Sequence, residues 1–284
     1  MALVESLQKA IDYMEEHLLE QISIEDISQH ANVSPYHFQR TFMIMTDLSV
    51  GDYLRRRRLT LAARELTSTE SKIIDIAYKY GYETPEAFSK AFRKQHGMSP
   101  SEARKGAGKL QSYNRITIKV TLKGAEPMNY QIIERDGFQV IGVKRECSCG
   151  DSKSQEIPEL WNEVNANGTV EKLVPHINGE IKGVLGMTDN YNPEKDSIDY
   201  WIAVEHAGEV PSGLSSYEFP PSKWIVFEVR GSAPTAMVSA WKQIYSEWIP
   251  SNGYEIAELP SIEAYIDSDV YHPNALNEIW LAVK

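Results

Sequence analysis

The chain has 284 residues, 42% of them hydrophobic and 24% charged, with 29 basic side chains, 40 acidic ones and a formal net charge of −11. The length suggests about two domains, and the composition is that of an ordinary globular protein. A uniformly acidic chain would be repelled by DNA phosphates and anionic lipid. The charge is not uniform, however. Residues 1–50 carry 2 basic and 8 acidic side chains and residues 51–110 carry 13 and 7, so a basic region lies inside an acidic total. No run approaches the ~18 apolar residues of a membrane span. The opening Met1-Ala2-Leu3-Val4-Glu5 lacks the basic stretch and apolar core of a signal peptide. A cytoplasmic protein without a membrane partner is expected.

Val4, Leu7, Ile11, Met14 and Leu18 follow helical spacing and predict an opening amphipathic helix. The pattern that follows occurs twice. Ala31-Asn32-Val33-Ser34-Pro35 leads into Phe38, Arg40, Phe42 and Ser49. Gly81-Tyr82-Glu83-Thr84-Pro85 leads into Phe88, Lys90, Phe92 and Ser99, an offset of 50 from Ser34/Thr84 onward. In each copy a residue tolerant of left-handed backbone, Asn32 or Gly81, ends a short helix. A hydroxyl cap and a proline then start the next helix. The Phe pairs, four residues apart, turn to the core and leave the residues between them outward. Each copy therefore reads as a helix-turn-helix. Between them, Gly51 to Leu66 predicts a connecting helix. Its Arg55-Arg56-Arg57-Arg58 run covers more than half of the helix surface, and phosphate contacts are expected from one or two of these residues, Arg55 and Arg58 being the candidates.

The stretch Gly81–Pro100, with Pro85, Phe88, Phe92, Gly97 and Ser99-Pro100, resembles the signature of the AraC/XylS family of transcription regulators. The resemblance covers roughly residues 3–105. It implies two helix-turn-helix units on one asymmetric double-stranded DNA operator, an activator role and contact with RNA polymerase. The base-reading positions it implies are Tyr36, His37, Gln39 and Arg40 in the first unit, and Pro85, Glu86, Ala87, Ser89 and Lys90 in the second. Arg40 suits guanine and Gln39 adenine, while Arg93 and Lys94 suit phosphates.

Residues 105–126 read as a small-residue hinge followed by an extended segment. The expected division is a DNA-binding domain over 1–108, a linker over 109–127 and a second domain over 128–284. The second domain is itself duplicated: Asp199–Glu205 matches Glu278–Lys284 at an offset of 79, and Trp161–Val164 matches Trp241–Ile244 at 80. Each half reads as strands, a helix near 156–167 or 234–248, then strands. The expected fold class is thus multidomain: an all-α double helix-turn-helix domain followed by an α+β, pseudo-twofold antiparallel-sheet domain with a cleft where the halves meet.

Strand alternation pairs Glu263 with Tyr265, Glu278 with Trp280, and Asp199 with Trp201. All three pairs are expected on the face away from the helices. Carboxylates among aromatic rings suit an amphipathic organic cation. Leu259–Tyr265 and Glu278–Val283 resemble the GyrI-like family of small-molecule-binding domains, which implies a pocket centred on a buried glutamate. Glu263 holds that position, with Tyr265, Glu278 and Trp280 lining it and Trp201 and Trp224 as further candidates.

Phosphate loops, nucleophile elbows and zinc-protease motifs are absent from the sequence. The seven histidines are scattered, and Cys147 and Cys149 read as free thiols. No cofactor, metal or catalytic residue is expected. The reading is a DNA-binding transcription regulator, not an enzyme, responsive to a small lipophilic cation. The alternative is a GyrI-like hydrolase or binding protein with Glu263 as its reactive carboxylate.

Overall fold

The computed structural model describes residues 2–106, 108–118, 127–148, 153–192, 195 and 197–284. Two compact units are distinguished, Met1–Met43 with Leu48–Thr121 and Leu122–Lys284 with Ile44–Asp47, and each is taken by itself.

Among the described residues the first unit contains seven helices: α1 (Ala2–Glu16), α2 (Ile24–Ala31), α3 (Pro35–Thr46), α4 (Val50–Ser68), α5 (Ile73–Lys79), α6 (Pro85–His96) and α7 (Pro100–Arg104). Both predicted turns form as the sequence requires. Asn32 ends α2 with φ 55°, and Gly81 follows α5 with φ +82°. Thr84 caps α6 by accepting the Ala87 N–H at 3.1 Å. Phe38 and Phe42 lie 5.7 Å apart and Phe88 and Phe92 5.5 Å apart between ring centres, all of them buried. Such pairs contribute about 0.5–1.5 kcal/mol each beyond their buried area. The long helix α4 buries Leu59, Ala62, Ala63 and Leu66 against Ile76, Ala77, Phe88 and Phe92 of the second helix-turn-helix.

The segment read as a hinge is seated in part. Residues 108–118 form no helix or strand, yet several of their backbone groups bond side chains of α4 and α6. Residues 119–126 lie outside the described residues.

The second unit is one eight-stranded antiparallel sheet with helices on one face. In chain order it comprises β1 (Tyr130–Arg135), β2 (Phe138–Ser148), α8 (Lys153–Ala166), α9 (Thr169–Leu173), β3 (Val184–Asn192), β4 (Ser197–Glu205), β5 (Ser215–Phe219), β6 (Ser222–Arg230), α10 (Thr235–Gln243), α11 (Ile249–Asn252), β7 (Ile262–Tyr265) and β8 (Leu276–Val283). The strand order is β1-β6-β8-β7-β3-β4-β2-β5. Reading it from either end gives the same sequence of equivalent strands, so the pseudo-twofold passes between β7 and β3, where Ala264 pairs with Leu185. Each half hands its first strand to the other: β1 pairs with β6, and β5 with β2. Sequence alternation alone does not show this exchange, because a strand's pattern carries no record of its partner.

The expected single carboxylate–aromatic face is corrected by the register. Ile262 pairs with Trp280 and Met187 with Trp201, whereas Glu263 pairs with Ile279 and Gly186. Directly paired residues share a face. Glu263 and Tyr265 therefore lie on the helix-covered face, and Glu278, Trp280, Trp201 and Trp224 on the opposite one. There Trp201, Trp224 and Trp280 are buried in a core with Phe138, Phe219 and Ile262. Cys147 is buried and in no disulfide; Cys149 lies outside the described residues.

Candidate DNA-binding and ligand sites

On the first unit, α3 and α6 carry the predicted base-reading positions. Tyr36, His37 and Arg40 are half-buried on α3, with Arg40 Nη1 donating to the Tyr36 hydroxyl at 3.3 Å. On α6, Glu86, Ala87, Lys90, Arg93 and Lys94 are exposed and Pro85 and Ser89 half-buried. Two expected contacts are corrected. Gln39 is 5% exposed, and its Nε2 is a buried donor without a partner, so it faces the interior. Arg58 donates Nε to the Leu18 carbonyl at 2.6 Å and Nη2 to the Glu20 carbonyl at 2.7 Å, which ties α4 to the segment after α1.

The rest of the arginine run divides in the same way. Arg57 forms a two-pronged pair with Glu15 at 2.7 Å, both side chains being nearly buried. Burial pushes the Glu15 carboxyl up, but the hydrogen bonds from Arg57 and Tyr53 outweigh it and hold the carboxyl below its ordinary range. Arg55 pairs with Asp52 at 2.5 Å, its side chain remaining 39% exposed. A charge run marks only a helix surface; the neighbours decide which guanidinium is spent inside.

On the second unit, Glu263 stands one residue from the pseudo-twofold, half-buried on the helix face. Trp241 of α10 donates its indole N–H to Oε1 at 2.6 Å, and the Tyr265 hydroxyl donates to Oε2 at 2.7 Å. Burial first, and then the Glu263 charge, push the Tyr265 phenol well above its ordinary range, so it remains a donor. From the other half, Trp161 of α8 meets Tyr265 edge-on at 5.2 Å and donates to the Tyr200 hydroxyl at 3.1 Å. Gly186 makes room for this arrangement, since a Cβ there would lie 2.5 Å from the Tyr200 oxygen. The result is one carboxylate held by Trp241 and Tyr265, with Trp161 packed on Tyr265 and bonded in turn to Tyr200.

Trp161 and Trp241 were not among the sequence candidates. Their signal was the duplication itself, which puts one tryptophan at the same place on each helix. The duplication does not extend to the charge: at the offset of 79, Val184 corresponds to Glu263 and Gly186 to Tyr265. Among the described residues no cluster of metal-ligating side chains occurs, and no helix is long and apolar enough to cross a membrane.

Residues 131–283, more than half of the chain, match the Cass2 family, described as integron-associated effector binding protein. The chain belongs to this family. Residues 27–106 match a helix-turn-helix domain of the AraC type. The HTH-type transcriptional regulator YbfP of Bacillus subtilis is 38% identical over 138 residues, covering 46% of this chain and 47% of YbfP. The chain thus spans about half the length of that relative. The regulatory protein SoxS of Escherichia coli K12 is 39% identical over 98 residues, 34% of this chain and 92% of SoxS. Among solved structures, SAV2435 bound to tetraphenylphosphonium is 24% identical, covers 55% of this chain and 94% of its own, and has a TM-score of 0.49. This Cass2-family chain therefore joins an AraC-type DNA-binding region to a GyrI-like effector-binding domain.

Proposed function

We propose that the chain is a ligand-responsive transcription regulator. Its helix-turn-helix pair binds an operator through Tyr36, His37, Arg40, Arg55, Pro85, Glu86, Ser89, Lys90, Arg93 and Lys94, and a lipophilic organic cation bound at Glu263 changes transcription. The observation that carries the effector reading is the half-buried Glu263 carboxylate, fixed by Trp241 and Tyr265, with Trp161 packed on Tyr265. A cation there gains charge pairing with the carboxylate and attraction to the ring faces. Both carboxylate oxygens already accept a hydrogen bond, from Trp241 and Tyr265, which favours a binding role over nucleophilic attack. The likeness to AarP of Providencia stuartii, whose name calls it an activator, supports activation, and contact with RNA polymerase is what the AraC/XylS resemblance implies.

The test measures operator binding and transcription with and without tetraphenylphosphonium, a bulky aromatic cation, for the wild type and Glu263→Gln. The expected result is that the substitution weakens cation binding while the ligand-free protein still binds DNA. Chemical consumption of the cation by the wild type, lost in Glu263→Gln, would replace this reading with the hydrolase.

A further inference from the structure

The segment after α7 runs along the DNA-binding unit and touches both of its halves. At its start the Gln111 N–H donates to His96 Nδ1, on the last residue of α6, at 3.2 Å. His96 is 3% exposed and faces the Leu59 carbonyl of α4 through Nε2 at 3.3 Å. Nε2 must therefore carry the proton and Nδ1 the lone pair. In the middle, the Tyr113 N–H donates to Thr60 Oγ1 at 3.1 Å, and the Tyr113 carbonyl accepts Arg57 Nη1 at 2.8 Å. Arg56 lies over the Tyr113 ring, 4.9 Å from its centre. At its end the Ile116 N–H donates to the Tyr53 hydroxyl at 3.3 Å, and Arg115 pairs with Asp12 of α1. Tyr53 and Arg57 both bond Glu15, also on α1.

These contacts join α6 of the second helix-turn-helix, the connector α4, and α1, whose Tyr13 stacks on His30 of α2 in the first helix-turn-helix at 3.9 Å. Two recognition helices in one chain enter successive major grooves, one turn or about 34 Å apart, only if their separation and tilt are held. The connector alone is a single helix, free to bend and twist about its axis. We infer that residues 111–116 form a splint across the two helix-turn-helix halves, and that its seating sets the spacing of operator half-sites the protein accepts. Tyr113, Thr60 and His96 are positioning residues in this account, touching no base.

This inference rests on the DNA-binding part of the proposed function and is independent of the effector. The test uses the full chain and an operator enriched by the wild type from random-sequence DNA. Affinity is measured for that operator and for a copy with one base pair inserted between its half-sites. Hydrogen exchange at the Gln111, Tyr113 and Ile116 amides reports the splint itself. The wild type is expected to protect these amides and to discriminate against the insertion. Thr60→Val, which keeps the shape and removes the acceptor, is expected to lose protection at Tyr113 and about tenfold of the spacing discrimination, the worth of one or two net hydrogen bonds. Thr60→Ser keeps the hydroxyl and is expected to behave as the wild type. Unprotected amides in the wild type, or Thr60→Val that loses protection yet discriminates fully, overturns the splint. A folded chain that enriches no sequence overturns the DNA-binding reading as well, and the amide protection separates the two failures.

Discussion

Arg58 reaches from the connector helix to the Leu18 carbonyl, 2.6 Å from its Nε, and so closes the end of the segment behind α1. Its charge belongs to the fold. Arg58→Ala is expected to cost about 2 kcal/mol of stability, since two charge-assisted bonds are lost and the partly buried Leu18 carbonyl is left unpaired. Thermal melting should show the loss, while the salt dependence of DNA binding by the folded protein stays unchanged. A shallower salt slope with no loss of stability would return Arg58 to the phosphate contacts.

Lys94, exposed on α6, makes the opposite prediction. Lys94→Ala should weaken every DNA sequence alike and reduce the salt slope by about one counterion. Arg40→Ala should instead cost about 1–3 kcal/mol at one or two base pairs and leave other positions alone. Binding across a panel of single-base operator variants separates the two patterns.

Gln39 illustrates a polar residue spent without return. Its Nε2 is buried and has no partner, which is costly compared with an apolar group of the same length. Gln39→Met is expected to raise the melting temperature and to leave the preferred DNA sequence unchanged. A shift in base preference in that variant would show that Gln39 turns outward on DNA.

Trp241→Phe tests the Glu263 site from its neighbour. It keeps an aromatic ring on α10 but removes the N–H that holds Oε1 at 2.6 Å. Affinity for tetraphenylphosphonium, measured by calorimetry, is expected to fall about 10- to 100-fold, the worth of one net hydrogen bond to a charged group. Glu263→Gln should lose more, because the ion pair itself goes. Equal affinities for both variants and the wild type would exclude Glu263 from the binding site.

Acid should loosen the first unit in two stages. Burial holds the His96 imidazole below its usual 6.5 in the folded state. The unfolded chain then binds the extra proton first, so stability falls as pH drops from 6.5 towards the folded value. Glu15 acts lower: its folded carboxyl is depressed below 4.5, so its contribution is present above that pH and is lost as pH falls through the folded value. Melting curves of the wild type and His96→Gln should differ in slope in the upper window and run parallel in the lower one.

Local chemistry made much of this molecule legible from its residues. Asn32, Gly81 and Thr84 carry backbone preferences that act over three or four positions, so both helix-turn-helix units could be read along the chain, and the duplication of the second domain with them. That Glu263 and Tyr265 share one face was legible for the same reason, because period-two alternation holds wherever a strand forms, but which face they share was not. What the tertiary structure decided is which neighbour each side chain meets. Four consecutive arginines have the same sequence signature, yet Arg57 is taken by Glu15 and Arg58 by the Leu18 carbonyl, partners about forty positions away. Strand register placed Glu278 and Trp280 on the face opposite Glu263 and brought Trp161 and Trp241 from two separate helices to one site. Pairing across a sheet and packing across a core join residues distant in the chain, and the cost of a buried charge or an unpaired donor selects among them only once the fold has closed.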